Sequence, residues 1–314
     1  MILTAELRGM ATAGLLAFGL ALVLVSVPSG VPGIELLQSL RFHLAALGVP
    51  LAILLVLSGA RWRGLLAVVL MLASVGQGAQ PILDGMARRD AVTGATLANI
   101  KVLSFNVLAN REGRAAADFI ISQAPDIAVT METSGIAAYF DDLAKVLPYR
   151  FGCTDRQDCD LAIFSRTPLL DPQMVVMYPF QRQRLAFAGT VIDGVPVTIA
   201  AVHLSKPYFD EASWMELNRA GRVLSRVEGR LIVAGDFNAA AWSNQMVELS
   251  AALDLAPPPF YPATWPVRAG ALGVPIDNMF TRGDLLIDTI EAAPNSYGSN
   301  HRALLAGISL REAP

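Results

Sequence analysis

Between Arg8 and Glu35 the chain carries no charged residue. Residues 9–28 (GMATAGLLAFGLALVLVSVP) supply the run of about 20 apolar positions that a helix needs to cross a hydrocarbon core of roughly 30 Å. Two further runs follow: residues 42–60 lack a formal charge, and residues 65–83 form a weaker stretch that turns polar at Gln77 and Gln80. Three spans fit this pattern, with two as the alternative. A cleaved secretory signal fits poorly, because its apolar region measures about 7–15 residues and has no successors of this kind. Pro50 would break a water-exposed helix, whereas neighbouring helices in a membrane bundle re-satisfy the freed carbonyl.

The composition agrees. Of 314 residues, 54% are hydrophobic and 16% charged, against roughly 25% charged in ordinary globular chains. A net charge of −3 gives no sign of a basic nucleic-acid wrapper. The apolar excess is confined to residues 1–85, which we expect to hold about three transmembrane helices. Residues 86–98 read as a linker and residues 99–314 as a separate domain, long enough to bury a core of its own. Arg61 and Arg63, with Arg8, mark one side of the membrane as cytoplasmic under the positive-inside rule, although Arg41, Arg88 and Arg89 oppose them. With three spans the domain lies outside the cytoplasm, as a multi-pass protein of the cell membrane. Cys153 and Cys159, six apart in a polar segment, suit a small disulfide in such a compartment better than a zinc site, for which two further ligands are missing.

Past residue 99 the periodicity switches between strand and helix. Strands are expected near 100–107, 126–131, 161–165, 174–178, 184–192, 195–202, 230–234, 276–280, 285–292 and 303–310. Helices are expected over 114–123, 135–146, 211–227 and 244–253. Asp193-Gly194 reads as a two-residue hairpin turn. Hairpins mixed with helices argue for two packed sheets rather than one doubly wound sheet.

Polar residues collect where these strands stop: Asn106, Glu132, His203, Asp236 and Asn238, then Asp277 and Asn300-His301. Singly, an Asn or Asp after a strand is a turn residue. Jointly they are harder to dismiss, because the chain has three histidines and both of those outside the apolar part fall in this set. Oxygen and amide ligands without cysteine suit Mg²⁺ or Mn²⁺, with Glu132 as the best ligand. Histidines and an amide around the same centre stabilise charge in an in-line displacement at phosphorus.

The motifs SFNV (104–107), VTMETS (129–134), AVHL (201–204), GDFN (235–238), ATWP through IDN (263–278) and SNH (299–301) together resemble the endonuclease/exonuclease/phosphatase superfamily, in its order and over residues 101 to about 305. The resemblance implies a four-layer α/β sandwich, two packed mixed sheets flanked by helices. It also implies a metal set of Glu132 and Asn106, a phosphate contact from His203, and Asp236 and Asn238 on the attacking water and a phosphate oxygen. His301 takes the place of the terminal catalytic histidine and Asp277 that of its carboxylate partner. The family's terminal motif is Ser-Asp-His, and here Asn300 stands in the middle. An amide lacks the carboxylate's charge, which implies weakened Mg²⁺ binding or an altered metal preference.

A metal-dependent phosphoesterase is one expectation; a degenerate homologue that binds a phosphorylated ligand or a protein partner without turnover is the other. The substrate stays open among a phospholipid head group, a nucleotide and a nucleic acid, with the bilayer as a standing partner and no obligate protein partner expected. From residue 100 onward 18 Lys and Arg face 23 Asp and Glu, which lacks the broad positive face of a tight duplex binder. Arg182, Arg184 and Lys206 form a candidate basic rim, and Trp214, Trp242, Trp265 and Tyr208 are candidates for an entry or for packing.

Overall fold

The structure is a computed structural model describing residues 2–27, 33–109, 113–154, 159–208 and 211–312. Its first part is all helix: α1 (Ile2–Leu24), α2 (Ile34–Ser39), α3 (Arg41–Ala46), α4 (Gly48–Leu57) and α5 (Arg61–Asp90). Two helices, over Ala5–Leu24 and Arg61–Asp90, are long and apolar enough to cross a membrane. The middle run, expected as a full span over 42–60, is the shorter apolar stretch Arg41–Leu57. Three clear spans are thus corrected to two long helices and a short one. The chain leaves helical geometry at Leu40 and again at Ser58, and Gly59 follows in the left-handed region at φ +83°, where glycine has no Cβ penalty. Because α4 begins at Gly48, Pro50 falls in its first turn, where a missing N–H costs little. The expected end of the first span at Pro28 lies outside the described residues.

The helices form an antiparallel stem. At one end Arg8 Nε donates to the Ser58 carbonyl (2.9 Å) and Arg63 Nη1 to Thr12 Oγ1 (2.8 Å). At the other, Arg41 Nη1 donates to Gln77 Oε1 (2.9 Å), and Gln77 also accepts from Ser26 Oγ (2.6 Å). Gly78 lets α5 approach α3: a Cβ there would lie 2.7 Å from Arg41 Cδ and 3.0 Å from the Phe42 ring. With 30 residues, α5 is roughly 45 Å long, more than a bilayer core needs. It stays helical as far as Asp90, into the linker expected over residues 86–98, so only residues 91–95 separate it from the first strand.

The remainder is built from β1 (Thr96–Asn106), α6 (Gly113–Gln123), β2 (Ile127–Met131), α7 (Phe140–Leu143), β3 (Tyr149–Gly152), β4 (Ala162–Ser165), β5 (Leu170–Met177), β6 (Arg182–Ile192), β7 (Val195–His203), α8 (Ala212–Leu224), β8 (Leu231–Asp236), α9 (Asn244–Ala252), β9 (Asp277–Arg282), β10 (Leu285–Ala292) and β11 (Leu304–Arg311). One sheet runs β10-β11-β1-β2-β4-β3 and the other β5-β6-β7-β8-β9. Period-two alternation sorts the side chains. Ile100 and Val102 of β1 meet Ile199 and Ala201 of β7 between the sheets. Leu103 and Phe105 turn outward beneath α6, and Ala200 and Val202 beneath α8 and α9. The result is a sandwich of two mixed sheets flanked by helices.

Each sheet carries one parallel pair, β1 with β2 and β7 with β8, joined by the crossover helices α6 and α8 that parallel strands require. Asp193 and Gly194 both take positive φ, 49° and 81°, as a type I′ hairpin turn demands. The helix expected over 135–146 is a 3-10 segment, Thr133–Tyr139, followed by the single turn of α7. The edge strand β3 was not anticipated: its four residues are mostly outside the core and show no alternation.

Candidate active site

Register brings the polar strand ends together. Asn106 pairs with Met131, so Glu132 follows beside it. His203 pairs with Asp236, and Asp236 with Asp277 across the antiparallel neighbour. The two parallel pairs thus end at the same edge of the sandwich, one from each sheet. Ser299 fastens the last segment there: its Oγ donates to the Asn106 carbonyl (2.6 Å) and accepts from the His301 N–H (3.0 Å). Glu132 and Asn238 sit at φ +52° and +51°, a left-handed conformation that costs roughly 1–3 kcal/mol for a non-glycine residue and clusters at functional sites.

Two carboxylate–imidazole dyads face one carboxylate. His301 Nδ1 lies 2.8 Å from Asp277 Oδ2, leaving Nε2 directed at Asp236 Oδ2 at 3.8 Å. His203 Nδ1 lies 2.9 Å from Asp160 Oδ2, leaving its Nε2 4.0 Å from the same Asp236 oxygen. Asn106 Nδ2 donates to that oxygen at 3.1 Å and is 3.4 Å from Glu132 Oε1. Asp236 Oδ1 accepts from the Asn238 N–H (2.9 Å), and Asn238 Nδ2 donates to the Leu204 carbonyl (2.8 Å).

Burial alone lowers the basicity of both imidazoles. For His301 the Asp277 and Asp236 carboxylates outweigh it and push the pKa up to about 9. For His203 the hydrogen bond and charge of Asp160 raise the pKa in the same way, against burial. Burial and the neighbouring Asp277 push the Asp236 carboxyl up. Asp160 moves down: desolvation opposes, but His203 and Arg184 prevail.

All eight residues expected at the site reach this edge, and one that sequence reasoning missed joins them. Asp160 follows Cys159, which is disulfide-bonded to Cys153, and the backbone carbonyls of both Cys159 and Asp160 are held by the segment after Glu132. No motif spacing ties Asp160 to His203, 43 residues on; the acidic residue beside a paired cysteine was the available signal. Arg184 Nη1 contacts Asp160 Oδ2 at 3.3 Å, so this arginine of the expected rim belongs to the dyad's support. Fully buried Glu216 holds the loop after β7, accepting from the Ser205 N–H (2.7 Å) and Oγ (3.0 Å). Arg182 and Lys206 line a cleft of about 700 Å³ together with Glu132, Asp160, His203 and Asn238. Trp242 and Trp265 pack against Leu40, Val274 and Ile276. Asn300 Oδ1 and Asp277 Oδ1 are buried without a partner among the described residues.

Solved structures share this architecture. An endonuclease/exonuclease/phosphatase from Beutenbergia cavernae DSM 12333 superposes with a TM-score of 0.56 at 18% identity, over 69% of this chain and 72% of its own. D. rerio TDP2, humanized by 14 mutations, gives 0.54 at 18% identity, over 67% and 98%. Beta toxin from Staphylococcus aureus, with bound magnesium ions, gives 0.52 at 13%, over 67% and 99%. At these identities the likeness is one of fold. No curated protein matches the sequence. The model of the Endonuclease/Exonuclease/phosphatase family matches residues 103–301, well over half of the chain, and the chain belongs to that family.

Proposed function

We propose that this chain is a membrane-anchored phosphoesterase that hydrolyses a phosphodiester or phosphomonoester with a divalent cation, Mg²⁺ or Mn²⁺. The observation that carries this reading is the convergence of two imidazole Nε2 atoms, each backed by a carboxylate, on Asp236 Oδ2. A phosphoryl group seated between them would meet donors on two sides and a proton acceptor beside its attacking water.

The residues suit a hard cation. The donors are oxygen and imidazole, the two cysteines being joined to each other, and two buried acceptor oxygens, on Asp277 and Asn300, lack partners. Asp236, Asp277 and His301 offer ligand atoms within 4.8 Å of one another, but the His301–Asp277 bond engages two of the three. We therefore assign the cation to Glu132, with the unpartnered Asn300 amide oxygen as a further ligand. Asn106, expected as a ligand, turns its Nδ2 to Glu132 and Asp236 and its Oδ1 to the Leu108 N–H, and so orients the carboxylate. Bound there, it would neutralise charge on the phosphoryl oxygens.

The chain's own residues do the rest. Asp236, its carboxyl pushed up by burial and by Asp277, takes the proton from water as the water oxygen bonds to phosphorus and the opposite P–O bond breaks. His301 and His203 donate from Nε2 to oxygens that gain charge. The amide hydrogen that Asn238 does not spend on Leu204 is left for a phosphoryl oxygen.

The anchoring reading draws on the stem. Its helices expose large aliphatic side chains such as Leu16, Leu57 and Leu72; Arg8, Arg61 and Arg63 stand at the end opposite the domain, and Arg41, Arg88 and Arg89 at the near end. With arginines at both ends the positive-inside rule does not decide the orientation, and the outward placement of the domain rests on the Cys153–Cys159 disulfide, which is at home outside the cytoplasm.

The test is hydrolysis of bis(p-nitrophenyl) phosphate and p-nitrophenyl phosphate by the full chain in detergent, with EDTA, Mg²⁺ or Mn²⁺. Metal-dependent turnover lost in His301→Ala is expected, and preference between the compounds separates diester from monoester chemistry. Asn300, in place of the family's aspartate, favours the second reading, a non-catalytic binder. A folded, inert chain that gains activity in Asn300→Asp would establish that reading instead.

A further inference from the structure

We infer that the catalytic cleft opens onto the bilayer surface, and that its substrate is a bilayer lipid carrying the scissile phosphoester in its head group. The inference rests on the phosphoesterase and membrane-stem readings above, and adds the side from which substrate arrives.

The stem docks on the catalytic edge of the sandwich. Ser39 Oγ accepts from the Ala240 N–H at 3.0 Å, two residues beyond Asn238. Asn244 Nδ2 reaches the Val27 carbonyl at the end of the first long helix (3.3 Å), and Asn244 N–H donates to Gln38 Oε1 (3.1 Å). Leu40 packs with Ala240 and with Ile276, which precedes Asp277. On the other flank, the Val267 N–H donates to the Asn300 carbonyl (3.2 Å), while His43 Nε2, at the start of the short span, donates to the Leu272 carbonyl (2.8 Å). One short loop therefore bridges Asn300 and the membrane helix.

The far end of the sandwich points away from the bilayer. Gly78 on α5 lies against Arg41 and Phe42, level with Leu40. Ten residues later, Arg88 Nε donates to the Leu255 carbonyl (3.1 Å), and the adjacent Ala256 bridges Thr281 near the opposite end of β9. So α5 climbs alongside β9 away from the membrane, and the Asp277 end of that strand is the proximal one. β8 runs antiparallel to β9, and β7 parallel to β8; both deliver their carboxyl ends, with His203 and Asp236, toward the lipid.

The proximal face is dressed for an interface. Leu272 is 77% exposed although its carbonyl is held by the stem. Trp214, at the site end of α8, and Phe180, on the cleft wall, are also exposed. Arg182 and Lys206 stand in the same wall. Apolar and aromatic side chains interleaved with cations are what a head-group layer accepts.

The experiment places the full chain in phosphatidylcholine vesicles and compares two substrates with the same scissile bond: hexadecyl p-nitrophenyl phosphate, held in the vesicle, and ethyl p-nitrophenyl phosphate, free in water. In both, water bonds to phosphorus and p-nitrophenolate leaves. At equal bulk concentration, co-confinement on one surface should favour the hexadecyl ester by about tenfold or more. The double variant Leu272→Asp, Trp214→Asp keeps the stem in the vesicle but should reduce that preference and leave the ethyl ester rate unchanged; an undiminished preference would overturn the role of this face. A fluorophore on Leu272→Cys should be quenched by lipids spin-labelled near the head group. Equal rates for the two esters, or no quenching, overturn the inference and leave the phosphoesterase reading standing; loss of both activities overturns the two together.

Discussion

The stem and the sandwich distribute the same apolar residue types differently. The sandwich fully buries large side chains such as Phe105, Phe164, Phe237 and Phe280, and gains stability by taking them out of water. The stem buries Leu15, Phe18 and Leu55 beside the small Ala67, Ser74 and Gly78, but turns Leu16, Leu57 and Leu72 outward. Lipid tails are as apolar as leucine, so helices in a bilayer gain little by hiding leucine and associate instead through small residues and polar bonds. On the membrane reading proposed above, the Arg41–Gln77–Ser26 chain of hydrogen bonds is one such polar contact. The lesson is that hydrophobicity alone does not say which way a side chain faces; the solvent around the segment does. Where the two regions meet, at α2, the contact is polar: Glu35, Gln38 and Ser39 are all buried there, with Glu35 bonded to Gln245.

That contrast can be broken from either side. The largest effect is expected in the sandwich's chemistry: His301→Ala should lower kcat/KM by about 10²–10⁴-fold while the thermal midpoint stays close to wild type, as chromogenic turnover and calorimetry would show. Asp160→Asn comes next, because it leaves the His203 ring in place without its charge partner. An outer partner of this kind is worth about 10–100-fold, and an unaltered rate would remove Asp160 from the site. In the stem, Gly78→Leu should destabilise the α3–α5 contact by roughly 1–3 kcal/mol through overpacking. That loss should appear in detergent-titrated unfolding with the sandwich's own transition intact.

The smallest effect sharpens the junction. Burial raises the Glu35 carboxyl from 4.5 to about 7, so the folded form holds a proton that the unfolded form has released. Stability is therefore full below about pH 4.5 and falls as the pH rises toward 7, by at most about 1.4 kcal/mol per unit. Glu35→Gln should flatten this slope, measured as unfolding midpoint against pH, and an unchanged slope would place the titrating group elsewhere.

Much of the sandwich was legible because its strands alternate and its site residues occupy strand ends. Asn106, His203 and Asp236 stand at the last positions of β1, β7 and β8, and register then made them neighbours. Asp160 was not legible, because its meeting with His203 depends on the bonds that hold the Cys159 and Asp160 carbonyls to the segment after Glu132, which no local pattern encodes. The short middle helix was misjudged for a related reason: absence of charge set its expected length, whereas backbone breaks at Leu40 and Ser58 set the real one. The linker expected over residues 86–98 is helical as far as Asp90, because Gly85 packs on Pro257 and Arg88 and Arg89 find carbonyls on the sandwich.

That continuation of α5 works as a gear shaft between the two regions. A helix carries angular phase along its length, about 100° per residue. A single residue inserted between Gly78, fixed against the stem, and Gly85, fixed against the sandwich, would set the two contacts out of phase. The catalytic body is therefore indexed to the stem in height and in rotation, and a change of helix length would alter which way the active site looks before it altered any residue within it.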